Sequence, residues 1–314
     1  MNTVRLSAVA GRTADDAYAG AVRDLRDRGL DERDIVQAVW YAKDAAERMI
    51  PVEGLLEAEM AVAVELTAHP GGGERRNRVT VADGIVYLPT ILPQDLTADF
   101  RTQYRSCLET AADLLKDAGL GLDALVQTTD YTATATRADY PRCGRPRKDL
   151  LGGTGTDGAP VFPGAAGILV DKGEQKVTLD AVASTAPLRT VNPGWRRYET
   201  LTYRPGVLAG DTLFMSGFGA LEPATQRAIF DGDLLAQAEF TYAAIATVLR
   251  EAGKEFRVVR LVEYVTPEGR EGYDGLKDLR AKYFPGEVAL TSVVCTALLR
   301  PEFLIEVIPT AVRA

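Results

Sequence analysis

Three carboxylic acids stand on strands that are otherwise apolar: Glu65 in AVAVELTA (61–68), Asp180 in VTLDAVAS (177–184) and Glu306 in FLIEVIPT (303–310). A carboxylate among buried neighbours has to be paired, hydrogen-bonded or protonated. Each acid is therefore either tied to a nearby backbone group or arginine, or serves as a general acid/base. Other chemistry is sparse. His69 is the only histidine and stands beside Pro70 in a breaker cluster, which argues against a Ser-His-Asp triad or a histidine-rich metal site. Cys107, Cys143 and Cys295 are too few and scattered for a disulfide framework or a zinc site. Cys295 reads as either a buried inert thiol or part of a cleft wall. GGTGTDG (152–158) lacks the Gly-Lys-Ser/Thr ending of a phosphate-binding loop and reads as a loop at a cleft rim. Arg142, Arg145, Arg147 and Lys148 form a basic run, and Arg196-Arg197 adjoin Trp195; each is a solvated face or an anion site.

The elements that must position these groups come from a pattern that occurs three times. It reads LRDRGLDERDIVQAVWYAKD from Leu25, LKDAGLGLDALVQTTDYTAT from Leu115 and LREAGKEFRVVRLVEYVTPE from Leu249. Gly29, Gly119 and Gly253 each follow an apolar helical face and read as helix C′ residues, where a positive φ costs least. Ile35-Val36, Leu125-Val126 and Val258-Val259 then open strands. Ala14-Asp15-Asp16 is expected to cap the first helix. Further helices are expected over 99–118, 233–252 and 273–283, with 140–151 a short basic helix or loop. Asp83-Gly84 and Gly210-Asp211 are the turns of two hairpins, and Asp171-Lys172-Gly173 joins two later strands. Each full copy is ββαβαββ, with helices on one face of a mixed sheet.

Composition sets bounds on partners. A net charge of −8 over 314 residues argues against nucleic-acid binding, which needs clustered Lys and Arg. No stretch approaches eighteen uninterrupted apolar residues, so no membrane span is expected. The start, MNTVRLSAVAGRTADD, lacks a signal-peptide pattern, and a cytosolic location follows as the expectation.

The third copy resembles the RidA (YjgF-type) imine/enamine deaminases through AGDTLFMSG (209–217), AIATVLREAG (244–253), KDLRAKYF (277–284) and TSVVCTALLRPEFLIEV (291–307). The second matches the same frame through DGIVYLP, LLKDAGLGLDALVQTTDYT and VTLDAVAS, and the first is a truncated copy. The resemblance implies an α+β, chorismate-mutase-like fold of three repeats: a truncated one at 1–72, a second at 73–188 and the most complete at 189–314. Members of the family are homotrimers with helices outside and clefts between subunits. Three linked copies thus imply a single-chain pseudo-trimer, a monomer or weak dimer in solution.

The resemblance also implies chemistry. RidA-like enzymes hydrolyse 2-imino acids without metal or organic cofactor. A strand arginine holds the substrate carboxylate, and an acid on the last strand positions or activates water. Glu65, Asp180 and Glu306 are carried over as that acid. The arginine position is Thr291 in the third copy, falls near Ala165 in the second, and is Arg48 in the first. Tyr203 matches an active-site tyrosine or is a packed strand aromatic; Ser216-Gly217 match the small pair facing the substrate. Lys277 is a solvated helix face, and Cys295 shares a strand face with Thr291. The expected activity is imine or enamine hydrolysis or tautomerisation of a small carboxylate-bearing metabolite. The alternatives are a chorismatase-like hydrolase or lyase using Glu306, and a non-catalytic metabolite-binding protein. The divergent fused architecture would suit bacterial specialised metabolism.

Overall fold

In a computed structural model, described for residues 2–46, 48–171 and 173–314, mixed sheets carry five α-helices. The turn expected at Asp171-Lys172-Gly173 includes Lys172, which lies outside the described residues. Helix α1 (Ala14–Asp27) starts one residue earlier than its acidic cluster suggests. Thr13 is the cap: its hydroxyl accepts from Asp16 N–H while the Asp16 carboxylate accepts from Thr13 N–H. Helices α2 (Phe100–Lys116) and α4 (Leu234–Ala252) begin on Asp99 and Asp233. Two short helices, α3 (Gly144–Leu150) and α5 (Leu276–Tyr283), each follow a 3₁₀ segment. Among the described residues no helix is long and apolar enough to cross a membrane.

Gly29 and Gly119 take φ of 75° and 72°, and Leu30 N–H and Leu120 N–H reach back to the carbonyls of Leu25 and Leu115. Those are the bonds that let a left-handed glycine end a helix. Gly253 also ends its helix with a positive φ, 144°, but its ψ of 154° is extended, so the chain leaves α4 without the left-handed turn of the other two. The Asp83-Gly84 turn has positive φ at both positions, 48° and 76°, the twist a two-residue hairpin requires.

Each sheet is built on one strand leaving these turns: Ile35–Ala42, Leu125–Ala133 and Phe256–Val265. Each pairs antiparallel with an acid-bearing strand: Val62–Ala68, Val177–Ser184 and Ile305–Arg313. Every one of these pairings carries an irregularity at the same place, after Ile35, Leu125 and Val258. On its other side each of the three strands has a parallel neighbour: Ile50–Pro51, Gly164–Val170 and Ala289–Val294. Short segments cross between sheets. Leu55 pairs with Val293 at the edge of the third sheet, and Leu298 pairs with Ile168 at the edge of the second.

Counted from the shared bulge, equivalent side chains of the three sheets meet around one chamber. The innermost layer is Tyr41, Tyr131 and Tyr264, all at most 2% exposed. The Tyr264 hydroxyl lies 2.7 Å from that of Tyr131 and 3.5 Å from that of Tyr41. Val39, Thr129 and Val262 form the next layer, then Gln37, Gln127 and Arg260, then Arg5, Tyr87 and Phe214.

The opposite sheet faces pack on the helices, and there one device occurs twice. Asp130 accepts from the hydroxyls of Tyr104 and Tyr140, both at 2.9 Å, and Arg147 bonds Tyr104 Oη at 2.9 Å. Glu263, three residues later in its own repeat than Arg260, accepts from Tyr242 Oη at 2.6 Å, from Tyr273 Oη and from Arg280 at 2.9 Å. Both networks tie a short helix to a strand. At the equivalent position the first sheet carries Trp40, which stacks on Tyr18 of α1.

Glu263 is fully buried, so its removal strands a largely buried guanidinium. Glu263→Ala should cost about 3–5 kcal/mol in chemical denaturation. Glu74→Ala, at an exposed Arg76 pair, should leave the midpoint where it is.

Candidate functional site

Strand register separates the three acids. Glu65 opposes Val39 and Asp180 opposes Thr129, equivalent positions, but Glu306 opposes Tyr264. The residue matching Glu65 and Asp180 in the third sheet is Ile308, opposite Val262. Glu306 is thus two residues out of register with the other acids, a correction to the alignment of VTLDAVAS with FLIEVIPT. An offset of two keeps the side chain on the same face while moving it along the strand.

Each acid meets its own surroundings. Glu65 is held by Arg260 through both Nε and Nη2 (Nη2 at 3.0 Å) and accepts from Thr291 Oγ1 at 2.8 Å. Thr291 is therefore occupied by Glu65, at a junction where Leu290 N–H donates to Ser7 Oγ and Ala8 N–H donates to Leu290 O. Asp180 accepts from Thr90 Oγ1 at 2.8 Å and lines the axial chamber.

Glu306 lies at the corresponding junction between the second and third sheets. Ala165 N–H donates to Ser216 Oγ at 2.9 Å, Ser216 Oγ donates to Arg204 O at 2.6 Å, and Gly217 N–H donates to Ala165 O at 3.0 Å. The Glu306 carboxylate rests directly on Gly217: a Cβ there would stand 2.2 Å from Oε1. That close approach is why a glycine follows Ser216. The Gly167 N–H faces the carboxylate, and Gly167 itself is covered by Tyr140 and Leu299, either of which a Cβ would strike.

Burial pushes the Glu306 carboxyl up to about 8, opposed only by the Gly167 amide. With no cation beside it, Glu306 is mostly protonated at neutral pH. Tyr203 and Tyr198, whose rings meet edge-on at 5.5 Å, complete the surroundings. Both phenols are raised by burial, and the Glu306 charge raises them further. The loop bearing Tyr203 is held from the second sheet, because Arg147 Nη2 donates to Thr202 O at 3.0 Å. The charges of Arg147, Arg197 and Arg300 favour an ionised Tyr203, and Arg197 and Arg300 are exposed.

Four sequence-derived residues, Glu306, Tyr203, Ser216 and Gly217, thus share one junction. Glu65 and Thr291 occupy another, and Asp180 borders the chamber. Counting back from the Tyr41–Ile50 and Tyr131–Ile168 pairs, Arg48 and Ala166 are the positions equivalent to Thr291, one residue from the Ala165 expected. Arg48 is exposed in the turn before its strand. Cys295 is 1% exposed, its thiol donates to Val265 O at 3.5 Å, and burial raises its pKa. It packs in the core and does not line a cleft. In the basic run, Arg142 and Arg145 form surface pairs with Asp139 and Asp149, whereas Arg147 is 3% exposed. Lys277 is exposed, as a solvated helix face would be. Sequence reasoning gave no role to Tyr198, Gly167 or Arg300, although Arg300 lies within TSVVCTALLRPEFLIEV (291–307).

No family model matches the chain. Among solved structures, a chorismatase superposes with TM-score 0.59 at 14% identity, covering 88% of this chain and 93% of that one. A Rid-family protein of unknown function from Yersinia pestis covers 40% of this chain and 98% of its own, at 21% identity and TM-score 0.33. RidA from an Antarctic Psychrobacter covers 37% of this chain and 90% of its own, at 22% identity and TM-score 0.32. The chain shares the fold of that chorismatase over 88% of its length.

The Glu306 carboxyl is raised in the folded state from an ordinary value of 4.5 to about 8. The folded protein holds this proton more tightly than the unfolded chain, so stability falls as pH rises from about 4.5 and levels off above about 8. The full effect corresponds to roughly 5 kcal/mol. Glu306→Gln should remove that part of the slope, gaining on the parent as pH rises in denaturant titrations between pH 5 and 8.5.

Proposed function

We propose that the chain is a cofactor-free enzyme whose working cleft is the Glu306 junction, formed between repeats 73–188 and 189–314. In this reading the three repeats pack as a single-chain pseudo-trimer around the tyrosine layer, with 1–72 as a truncated third member. The shared bulge and the layered side chains support it. Sedimentation should give the mass of one chain, or of a weak dimer; a mass of three chains would sink the pseudo-trimer.

The observation that carries the chemistry is a buried glutamic acid without a cationic partner, lifted to about 8. Such a group is a general acid near neutrality. Its proton goes to the electron-rich carbon of an enamine or enol ether on a small carboxylate-bearing metabolite. Water then adds to the resulting iminium or oxocarbenium carbon and returns a proton to Glu306. Collapse of the adduct releases the amine or the alcohol and leaves a carbonyl. Both substrate classes share the first step, so one acid serves either.

The enol ether is the better match. The family's imine clamp needs a strand arginine, and the position facing Glu306 is Ala166. Glu65 is neutralised by Arg260, which supports a single live cleft. Arg197 and Arg300 at the cleft rim are the cations available to the substrate carboxylate.

Turnover of chorismate and of a freshly generated 2-imino acid, followed by mass spectrometry, tests this. Glu306→Gln should lower kcat by about 10²–10⁴, and the parent rate should fall as pH rises through about 8. Arg300→Ala should act mainly on KM. Stoichiometric binding of either compound without turnover would favour a non-catalytic metabolite-binding protein instead.

A further inference from the structure

The axial chamber contains an arginine that the fold leaves unmatched. Arg5 pairs with Thr67 in the first sheet and projects to the chamber side. Among the described residues its guanidinium has no hydrogen-bond or ion-pair partner; only longer-range charges act on it, and burial lowers its pKa. The acids within reach are already engaged, and Asp180 in the chamber wall accepts from Thr90 Oγ1 at 2.8 Å. Glu65 is bound by Arg260 and Thr291. Asp83 accepts from Asn2 N–H, Thr3 N–H and Thr3 Oγ1 at 2.8–2.9 Å and faces His69 Nε2 at 3.4 Å. The Arg260 charge adds to the positive field on Arg5. Across the same layer the Tyr87 hydroxyl is buried and, among the described residues, meets no group in full hydrogen-bond geometry, with Thr3 the polar neighbour beside it.

A partly buried cation and a buried hydroxyl with so few partners, both facing a hollow, favour an occupant that can bond to them. The chamber has a volume of about 50 Å³, room for roughly four waters and so for one tetrahedral oxyanion. Arg5 is also in the wall of a second, outer cleft of about 170 Å³ between the first and third sheets. The charged residues of that cleft are Arg5, Arg28, Arg257 and a single acid, Glu287, which pairs with Arg28. A cationic mouth thus adjoins the chamber on the Arg5 side, and a mouth of that sign draws anions inward.

We propose that the chamber is a binding site for a small tetrahedral oxyanion, held by the Arg5 guanidinium and the Tyr87 hydroxyl and admitted past Arg28 and Arg257. The tyrosine layer separates it from the Glu306 cleft, because Tyr264, which opposes Glu306, closes the far end. The site is independent of whatever reaction Glu306 performs.

Thermal melts and calorimetry of the full chain, with inorganic phosphate, sulfate, acetate or chloride at matched ionic strength, test it. Phosphate or sulfate should raise the Tm saturably and bind one per chain, with chloride as the baseline. Saturable binding of acetate alone would overturn the tetrahedral assignment. Arg5→Gln should weaken binding at least tenfold. In anion-free buffer that variant should melt no lower than the parent, since it loses a partly buried charge that has no ion-pair partner, so misfolding cannot account for the loss. Arg75→Gln, an exposed strand residue outside both cavities, should bind as the parent does. An unresponsive parent, or an Arg5→Gln protein that responds equally, overturns the proposal.

Discussion

Strand register is the constraint on which this structure depends. Side chains alternate along a strand, so a slip of one residue exchanges faces and a slip of two moves a group by one pleat. The pairing of Phe256–Val265 with Ile305–Arg313 sets Glu306 opposite Tyr264. The same count in the other sheets sets Glu65 and Asp180 one pleat away, level with Val39 and Thr129. The bulge that all three pairings share holds this register, and the packed tyrosine layer permits no adjustment.

The same two-residue offset decides how each charge is accommodated. One pleat along, Glu65 meets a guanidinium and a hydroxyl and becomes an internal ion pair. Asp180 meets a threonine hydroxyl. Glu306 meets a glycine surface, a backbone amide and aromatic rings, and takes up a proton instead. For Glu306 desolvation decides the outcome, whereas Glu65 has a cation in reach. Arg5 is the complementary case, a partly buried cation whose neighbouring acids are already satisfied.

Much of this was legible in the sequence. Helix-ending glycines, aliphatic strand openings and the Asp-Gly hairpin are local signals, and Gly29, Gly119 and Asp83-Gly84 adopt the positive φ those signals require. Gly253 takes a positive φ as well, 144°, but with an extended ψ of 154° in place of the left-handed helical conformation. The acids could be picked out because a carboxylate on an apolar strand is costly wherever it lies. Tyr198, Gly167 and Arg300 could not be assigned a role, since their own segments do not show that folding sets them around Tyr203 and Glu306.

By itself the sequence determined the repeated helix–turn–strand pattern, the acid-bearing strands and the near-absence of histidine chemistry, because these depend on residue type and short spacing. Only the tertiary structure decided which acid is neutralised by an arginine 195 residues away and which is left to hold a proton. It also decided that Cys295 and Thr291 are occupied and that Arg5 faces an open chamber. The reason is physical. A pKa or an ion pair depends on distances of a few ångströms between segments far apart in the chain, and those are fixed when the sheets close on one another.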